Sequence, residues 1–433
     1  MATPGSLARS VGFWGAVWLG LGSILGTGVF VSLGIAAGVA GPSVVLAVAL
    51  AALVATANGL SSAQLAAAHP VSGGTYEYAH RLVHPRAGFA AGWMFLSAKS
   101  ASAATAALGF AGYLLHVLGV EASTFARVGV ALALVVALTA LVAGGMRRSN
   151  AVNAIIVTLT LLTLGAFAVV AFVEAAPGAA QRRLTEDVFG AAPDALLQAT
   201  ALMFVAYTGY GRIATLGEEV TEPARTIPRA VITTLALTMV LYVAVAAAGV
   251  TAVGADAFAE ATASLAAPLE VVARTFDAAW VAPVVAIGAV TAMAGVLLNL
   301  LLGLSRVLLA MARRAEMPTG FAALDDGGSP RRAVIGIGVL IAGLTLLGDV
   351  RTTWTFSAFT VLIYYGLTNL SALRLAPEHR RFPRAIAVFG LVACFGLAFF
   401  VPAVVWGAGL GLLVIGFGLR AGLHKIGKAP SDR

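Results

Sequence analysis

Four glycines crowd the stretch LGLGSILGTGVF, Leu19 to Phe30: Gly20, Gly22, Gly26 and Gly28. They sit inside an almost unbroken apolar run from Val11 to Val39. Each glycine costs a helix interior about 1 kcal/mol relative to alanine, so together they weaken such a helix by about 4 kcal/mol. A nucleotide loop is the first chemistry to test. It fails, because the dinucleotide fingerprint is G-x-G-x-x-G between a strand and a helix, whereas three residues separate Gly22 from Gly26 and both flanks are bilayer-length apolar sequence. Two uses remain. Small residues four apart let membrane helices touch. Alternatively the helix is broken, and its freed N–H and C=O groups cost several kcal/mol each in lipid unless they face a cavity or a ligand. A break therefore implies a polar site at the bilayer midplane, and the central position of Gly22 to Gly28 in its segment favours it.

A second interruption stands at FVAYTGYGRIATLGEEV, where Gly209 and Gly211 lie two apart beside Tyr207, Thr208 and Tyr210. A third chemical feature is Lys99, in GWMFLSAKSASAATAALGF; the other two lysines, Lys425 and Lys428, are in the tail. Ten residues into its helix at about 1.5 Å each, Lys99 is about 15 Å deep in a bilayer about 30 Å thick. It cannot easily snorkel from there. The bland reading is an amine held neutral against backbone carbonyls, but intramembrane ionisable residues are functional candidates by default. No H-E-x-x-H, no Walker lysine and no Cys/His metal spacing exists, so no enzyme, cofactor or metal is expected. The lone Cys394 excludes an intramolecular disulfide.

The elements that must carry these residues follow from composition. Of 433 residues 60% are hydrophobic and 11% charged, and the mean hydropathy is +0.95, values that exclude a soluble domain. Twelve apolar stretches approach the length of a bilayer crossing: 12–38, 43–67, 89–117, 125–145, 151–173, 194–217, 229–252, 281–310, 333–348, 353–374, 385–400 and 403–420. The ninth and the last two are short, which leaves ten or eleven crossings open. The first stretch is too long for a signal peptide and has no small-residue cleavage pattern after it. With the N-terminus in the cytoplasm, the inner turns collect most of the arginines, among them Arg81, Arg147, Arg225, Arg314, Arg331 and Arg380. The outer turns hold only Arg127, Arg182, Arg183, Arg274 and Arg351, so both termini are placed in the cytoplasm of a multi-pass protein of the cell's inner membrane. The net charge of +8 marks this orientation rather than a nucleic-acid surface, since the basic residues form no stripe.

The interrupted stretches are the first helices of two five-helix sets, and because five is odd the second set enters from the opposite side. This is an inverted repeat, in which broken helices at matching positions of the two halves line a midplane site. The runs GSILGTGVFVSLG, PVSGGTYEY (Pro70 to Tyr78), GEEVTEPARTIPRA (Gly217 to Ala230) and GLSRVLLAMARRAEMP (Gly303 to Pro318) resemble the amino acid, polyamine and organocation superfamily of permeases. The resemblance implies an all-α membrane protein with the leucine-transporter fold, a 5+5 inverted repeat with helices 1 and 6 broken. The corresponding divisions are a cytoplasmic segment 1–10, repeats over 11–174 and 194–374, helices 11 and 12 over 385–420, and a tail over 421–433. It also implies that the substrate carboxylate rests on the backbone around Gly26, Thr27 and Gly28, which agrees with the positive end of the second half-helix. The substrate ammonium falls to freed carbonyls at Ile24, Val205 and Thr208, and Tyr210 matches an aromatic that closes over the substrate. The plain alternative for each is helix packing or ordinary core.

Two departures from the family pattern bear on coupling. Gly211 and Arg212 follow the aromatic where many relatives have an acidic residue. Proton-coupled relatives often carry a lysine on helix 5, yet NAVNAIIVTLTLLTLG (Asn150 to Gly165) has none, and Thr160 aligns there. Sodium coupling through hydroxyls stays open, as does relocation of the lysine to Lys99. Desolvation and a substrate carboxylate act on the charge of Lys99 in opposite senses, so access from either side could load and unload a proton.

The reading is a secondary active transporter of amino acids by alternating access, as permease or exchanger, linked to protons through Lys99; the alternatives are a sodium-coupled transporter and a membrane sensor that binds without moving its ligand. Apart from residues near span ends, such as Asp194, Arg127 and Arg306, the spans hold Lys99 and Arg212 but no acidic residue before Glu218, so neutral or acidic amino acids are expected over lysine, arginine or polyamines. Glu218 and Glu219 could close an inner gate against the cytoplasmic arginines, or simply be solvated carboxylates worth 0 to about 1 kcal/mol. Partners are the bilayer and the small-molecule substrate, with no nucleic acid. The tail is too short for an appended signalling domain, and oligomeric state is left open.

Overall fold

The computed structural model describes residues 11–69, 73–120, 123–145, 150–175, 188–214, 220–325 and 328–426. Each of the twelve apolar stretches contains helix. The first holds α1 (Phe13–Ile24) and α2 (Leu33–Ala40), joined through a wide turn at Gly28–Ser32. The next four are α3 (Val44–Ala68), then α5 (Pro85–Val117), α6 (Thr124–Ala143) and α7 (Asn150–Glu174). The sixth holds α8 (Pro193–Tyr207), a tight turn at Thr208–Tyr210, and α9 (Gly211–Ala214). The remainder are α10 (Pro223–Val253), α13 (Val281–Arg313), α14 (Arg331–Thr345), α15 (Val350–Leu373), α16 (Arg384–Ala398) and α17 (Ala403–Ile426). Among the described residues, eight helical stretches are long and apolar enough to cross a membrane, Gly28–Ala68 counting as one.

Among the described residues, three helices lie outside the apolar stretches: α4 (Thr75–Leu82), α11 (Ala255–Leu265) and α12 (Pro268–Ala273). They are polar or short, so hydropathy alone does not reveal them. Helix starts use local chemistry. The Asp349 carboxylate accepts the N–H groups of Arg351 and Thr352 to open α15, and Ser123 accepts from Ala126 to open α6.

Burial sorts the helices into centre and rim. In α5 and α15, 78% of the most apolar window is buried, against 22% in α6 and 11% in α17. The exposed residues of the rim, such as Val136, Val404 and Val414, are apolar, as a lipid-facing surface requires. The central pair is held by hydroxyls as well as by packing: Ser102 meets Ser357 at 2.7 Å and Thr105 meets Thr353 at 2.8 Å. Lys99 is therefore carried by one of the two most enclosed helices.

Candidate functional site

The first span breaks after Ile24. Leu25 turns extended, with ψ of 108°, and the carbonyl of Gly26 collects the N–H groups of Val29 and Phe30 where the helix resumes. The glycines divide into two groups. Gly20 and Gly22 lie within α1, where a Cβ would meet Ile213 at 2.5 Å and Asn153 at 2.1 Å, so both serve close packing. Gly26 and Gly28 flank the break; a Cβ on Gly28 would lie 2.5 Å from the Cβ of Ala206 and 2.8 Å from its Cα. Both expected uses of the cluster are therefore present in one run.

The second break, at Thr208–Tyr210, lies against the first. A Cβ on Gly209 would stand 2.2 Å from the Ser23 carbonyl oxygen, a distance no side chain admits. The two interruptions are in direct backbone contact. Within this junction the Thr27 hydroxyl is buried without a hydrogen-bond partner, although buried polar groups are almost always paired.

Lys99 reaches the same place. From α5 its Nζ donates to Thr208 Oγ1 at 2.5 Å, and the Thr208 hydroxyl in turn donates to the Val205 carbonyl at 2.7 Å. The Thr208 carbonyl accepts the Tyr365 hydroxyl of α15 at 2.9 Å, and the Ile24 carbonyl accepts the Tyr242 hydroxyl of α10 at 2.9 Å. The carbonyls expected to be free at Ile24, Val205 and Thr208 are thus each engaged by a hydroxyl. The physical reason is that lipid supplies no donor, so neighbouring helices must.

The other candidates fall as follows. Tyr210 is fully buried, its ring 5.4 Å from that of Tyr365 and beside Gly59. Thr160 is buried on α7 and donates to the Ile156 carbonyl one turn back, and this bond reaches no other candidate. Glu218 and Glu219 lie outside the described residues. Beside them, Thr221 N–H donates to the Val11 carbonyl at 2.9 Å, joining the segment before the first broken span to the segment after the second.

Residues that the motif reading missed come from unbroken helices. Asn153 Nδ2 donates to the Trp18 carbonyl at 2.9 Å, Asn299 Nδ2 to the Gly22 carbonyl at 3.2 Å, and the Tyr113 hydroxyl to the Phe30 carbonyl at 2.7 Å. Each is a polar side chain inside an apolar span, which was the available signal.

A charge network around α4 also went unexpected. Glu77 of α4 pairs with Arg81 and with Arg314 at 2.7 Å; Glu316 accepts the Tyr76 hydroxyl at 2.7 Å and pairs with Arg420 at 2.8 Å. Burial raises the Tyr76 phenol well above its ordinary range, reinforced by the Glu316 carboxylate. Burial opposes the charge of Arg314, but the Glu77 hydrogen bond and charge outweigh it and raise its pKa.

A family model described as amino acid permease matches residues 15–424. An uncharacterized transporter of Mycobacterium tuberculosis is 41% identical over 96% of this chain and 92% of its own length. A branched-chain amino acid permease of Bacillus subtilis is 29% identical over 92% of this chain and 88% of its own. A chloroplastic cationic amino acid transporter of Arabidopsis thaliana is 26% identical over 85% of this chain and 66% of its own.

Proposed function

Because this chain belongs to the amino acid permease family, we propose that it is a secondary active transporter of amino acids with neutral side chains, working by alternating access around its two helix breaks. The observation that carries the reading is the backbone contact of the breaks at Gly209 and Ser23, with Lys99 on Thr208. The substrate carboxylate is assigned to the backbone around Gly26, Thr27 and Gly28, where the resumed helix presents its positive end and the Thr27 hydroxyl awaits a partner. Of the expected acceptors Ile24, Val205 and Thr208, the Val205 carbonyl and the Thr208 carbonyl each already hold two donors, so the ammonium is assigned to the Ile24 carbonyl and the Thr208 hydroxyl, with Tyr210 closing the site.

The same reading gives twelve crossings in the leucine-transporter fold, with inverted repeats over 11–174 and 194–374 and both termini in the cytoplasm. Lys99 is the proton-carrying group in place of a lysine on the fifth helix; a sodium site near Thr160 is the alternative.

Neutral substrates are favoured because the interiors of α3, α5, α10, α13 and α15 carry no Asp or Glu. Among the described residues these helices offer a cationic side chain no counter-ion. The branched-chain permease is named for neutral substrates and agrees; the cationic transporter is named for the rival class. The test is uptake into liposomes carrying the purified protein, with leucine and alanine competed against arginine and lysine. Neutral amino acids should win. Superior competition by arginine would overturn the substrate class, and saturable binding without flux would make the protein a sensor.

A further inference from the structure

We propose that the Lys99 ammonium and the substrate ammonium exclude one another at Thr208, so that substrate binding expels a proton from Lys99. The proposal rests on reading Thr208 as part of the ammonium site. A carbonyl oxygen has two lone pairs. At the second break both are taken twice over: the Val205 carbonyl receives the Thr208 N–H and the Thr208 hydroxyl, and the Thr208 carbonyl receives the Tyr365 hydroxyl and the Gly211 N–H. The remaining acceptor at this break is Thr208 Oγ1, and Lys99 Nζ takes one of its two lone pairs at 2.5 Å, so a second ammonium placed on the other lies directly against the first. Among the donors gathered there, Lys99 alone can withdraw on a long flexible stem. It is a tethered amine standing where the substrate amine must go.

Charge decides which amine stays protonated. Two ammonium groups sharing one buried acceptor repel strongly, because little solvent screens them. The substrate is a zwitterion and brings its own carboxylate to the first break. Lys99 forms no ion pair among the described residues, so it is the group that gives way. The balance is Lys99–NH3⁺ plus free zwitterion going to Lys99–NH2, bound zwitterion and one proton delivered to the open side. The substrate keeps all its atoms and its charge.

The surrounding groups do not supply a competing partner at that depth. The phenols of Tyr365 and Tyr210 border Thr208, Tyr364 lies beside Phe95 on the α5–α15 face, and Arg212 is one turn further along the broken span. Towards one end of α5 stand Glu77, Arg81, Arg314, Glu316 and Arg420, from α4, the end of α13 and α17. Towards the other, His116 pairs with Glu270 of α12, while Arg127 of α6 reaches the Ser264 and Gly348 carbonyls near Asp349 and Arg351 of α15. Asp256 and Glu260 of α11, Arg306 and Arg313 of α13, Arg331 and Arg332 of α14, His80 of α4 and Lys425 of α17 are further charged or titratable residues of the packed elements.

The experiment is calorimetric titration of leucine into the purified protein in two buffers of different ionisation enthalpy, which counts protons exchanged per ligand bound. Wild type should release protons on binding. Lys99→Met should bind at least as tightly and release none. Lys99→Arg, whose guanidinium keeps its proton, should bind at least tenfold more weakly at every pH. Binding without proton release, proton uptake on binding, or unimpaired binding by Lys99→Arg would each overturn the proposal and leave the substrate site intact. No saturable binding of any neutral amino acid by wild type would overturn the site reading itself.

Discussion

Lys99 and Thr208 stand 109 positions apart in the chain and meet at 2.5 Å where the sixth span loses its helix. The contact joins the one intramembrane lysine to the backbone irregularity that makes a midplane site feasible. Thr208→Val removes the acceptor at nearly constant volume and strands a buried amine, a loss of about 1 to 3 kcal/mol. Thermal unfolding in detergent should show the drop, and Thr208→Ser should restore most of it.

Glycine at the junction is a steric requirement. Gly209→Ala places a methyl group 2.2 Å from the Ser23 carbonyl oxygen and should abolish uptake. Gly165→Ala, at a position with open space around it, should leave uptake intact and stabilise α7 by up to about 1 kcal/mol. Equal uptake by the two variants would show that the breaks do not touch as described.

How far the site was legible follows from these residues. Gly26, Gly28 and Gly209 announced the breaks by lying near the middle of their spans, whereas Gly20 and Gly22 of the same cluster serve packing, and Lys99 announced itself by depth alone. Their meeting was not legible, since no local pattern tells which of several helices faces a break. Tyr242 and Tyr365 were missed for the same reason: a tyrosine in an apolar span reads as core until its hydroxyl is seen on a carbonyl. The short helices α4 and α12 escaped because hydropathy marks lipid contact, and these segments lie outside the apolar stretches.

The charge network around Glu77 and Glu316 should carry stability rather than recognition. Glu316→Ala deprives Tyr76 and Arg420 of their common partner, and breaking a buried pair in this way costs about 3 to 5 kcal/mol. The melting temperature should fall clearly while leucine affinity in the folded fraction is unchanged. A large affinity loss at constant melting temperature would contradict this assignment.

Acid should weaken the packing around His69. Burial lowers its pKa below the ordinary imidazole value of 6.5, helped by the charges of His379 and Arg81. The folded state therefore binds fewer protons than the unfolded chain, so this contribution is present above 6.5 and is lost as pH falls through the depressed value. Melting curves from about pH 8 to about pH 5 should show declining stability, and His69→Gln should flatten that decline.

The central claim is proton-linked transport through Lys99, and leucine uptake into proteoliposomes under imposed gradients tests it most directly. Wild-type uptake should respond to a pH gradient without sodium, faster with an acidic lumen as expected if binding releases a proton, and Lys99→Met should take up leucine at a rate indifferent to the gradient. Uptake that requires sodium and ignores the pH gradient in the unmutated protein would contradict the account.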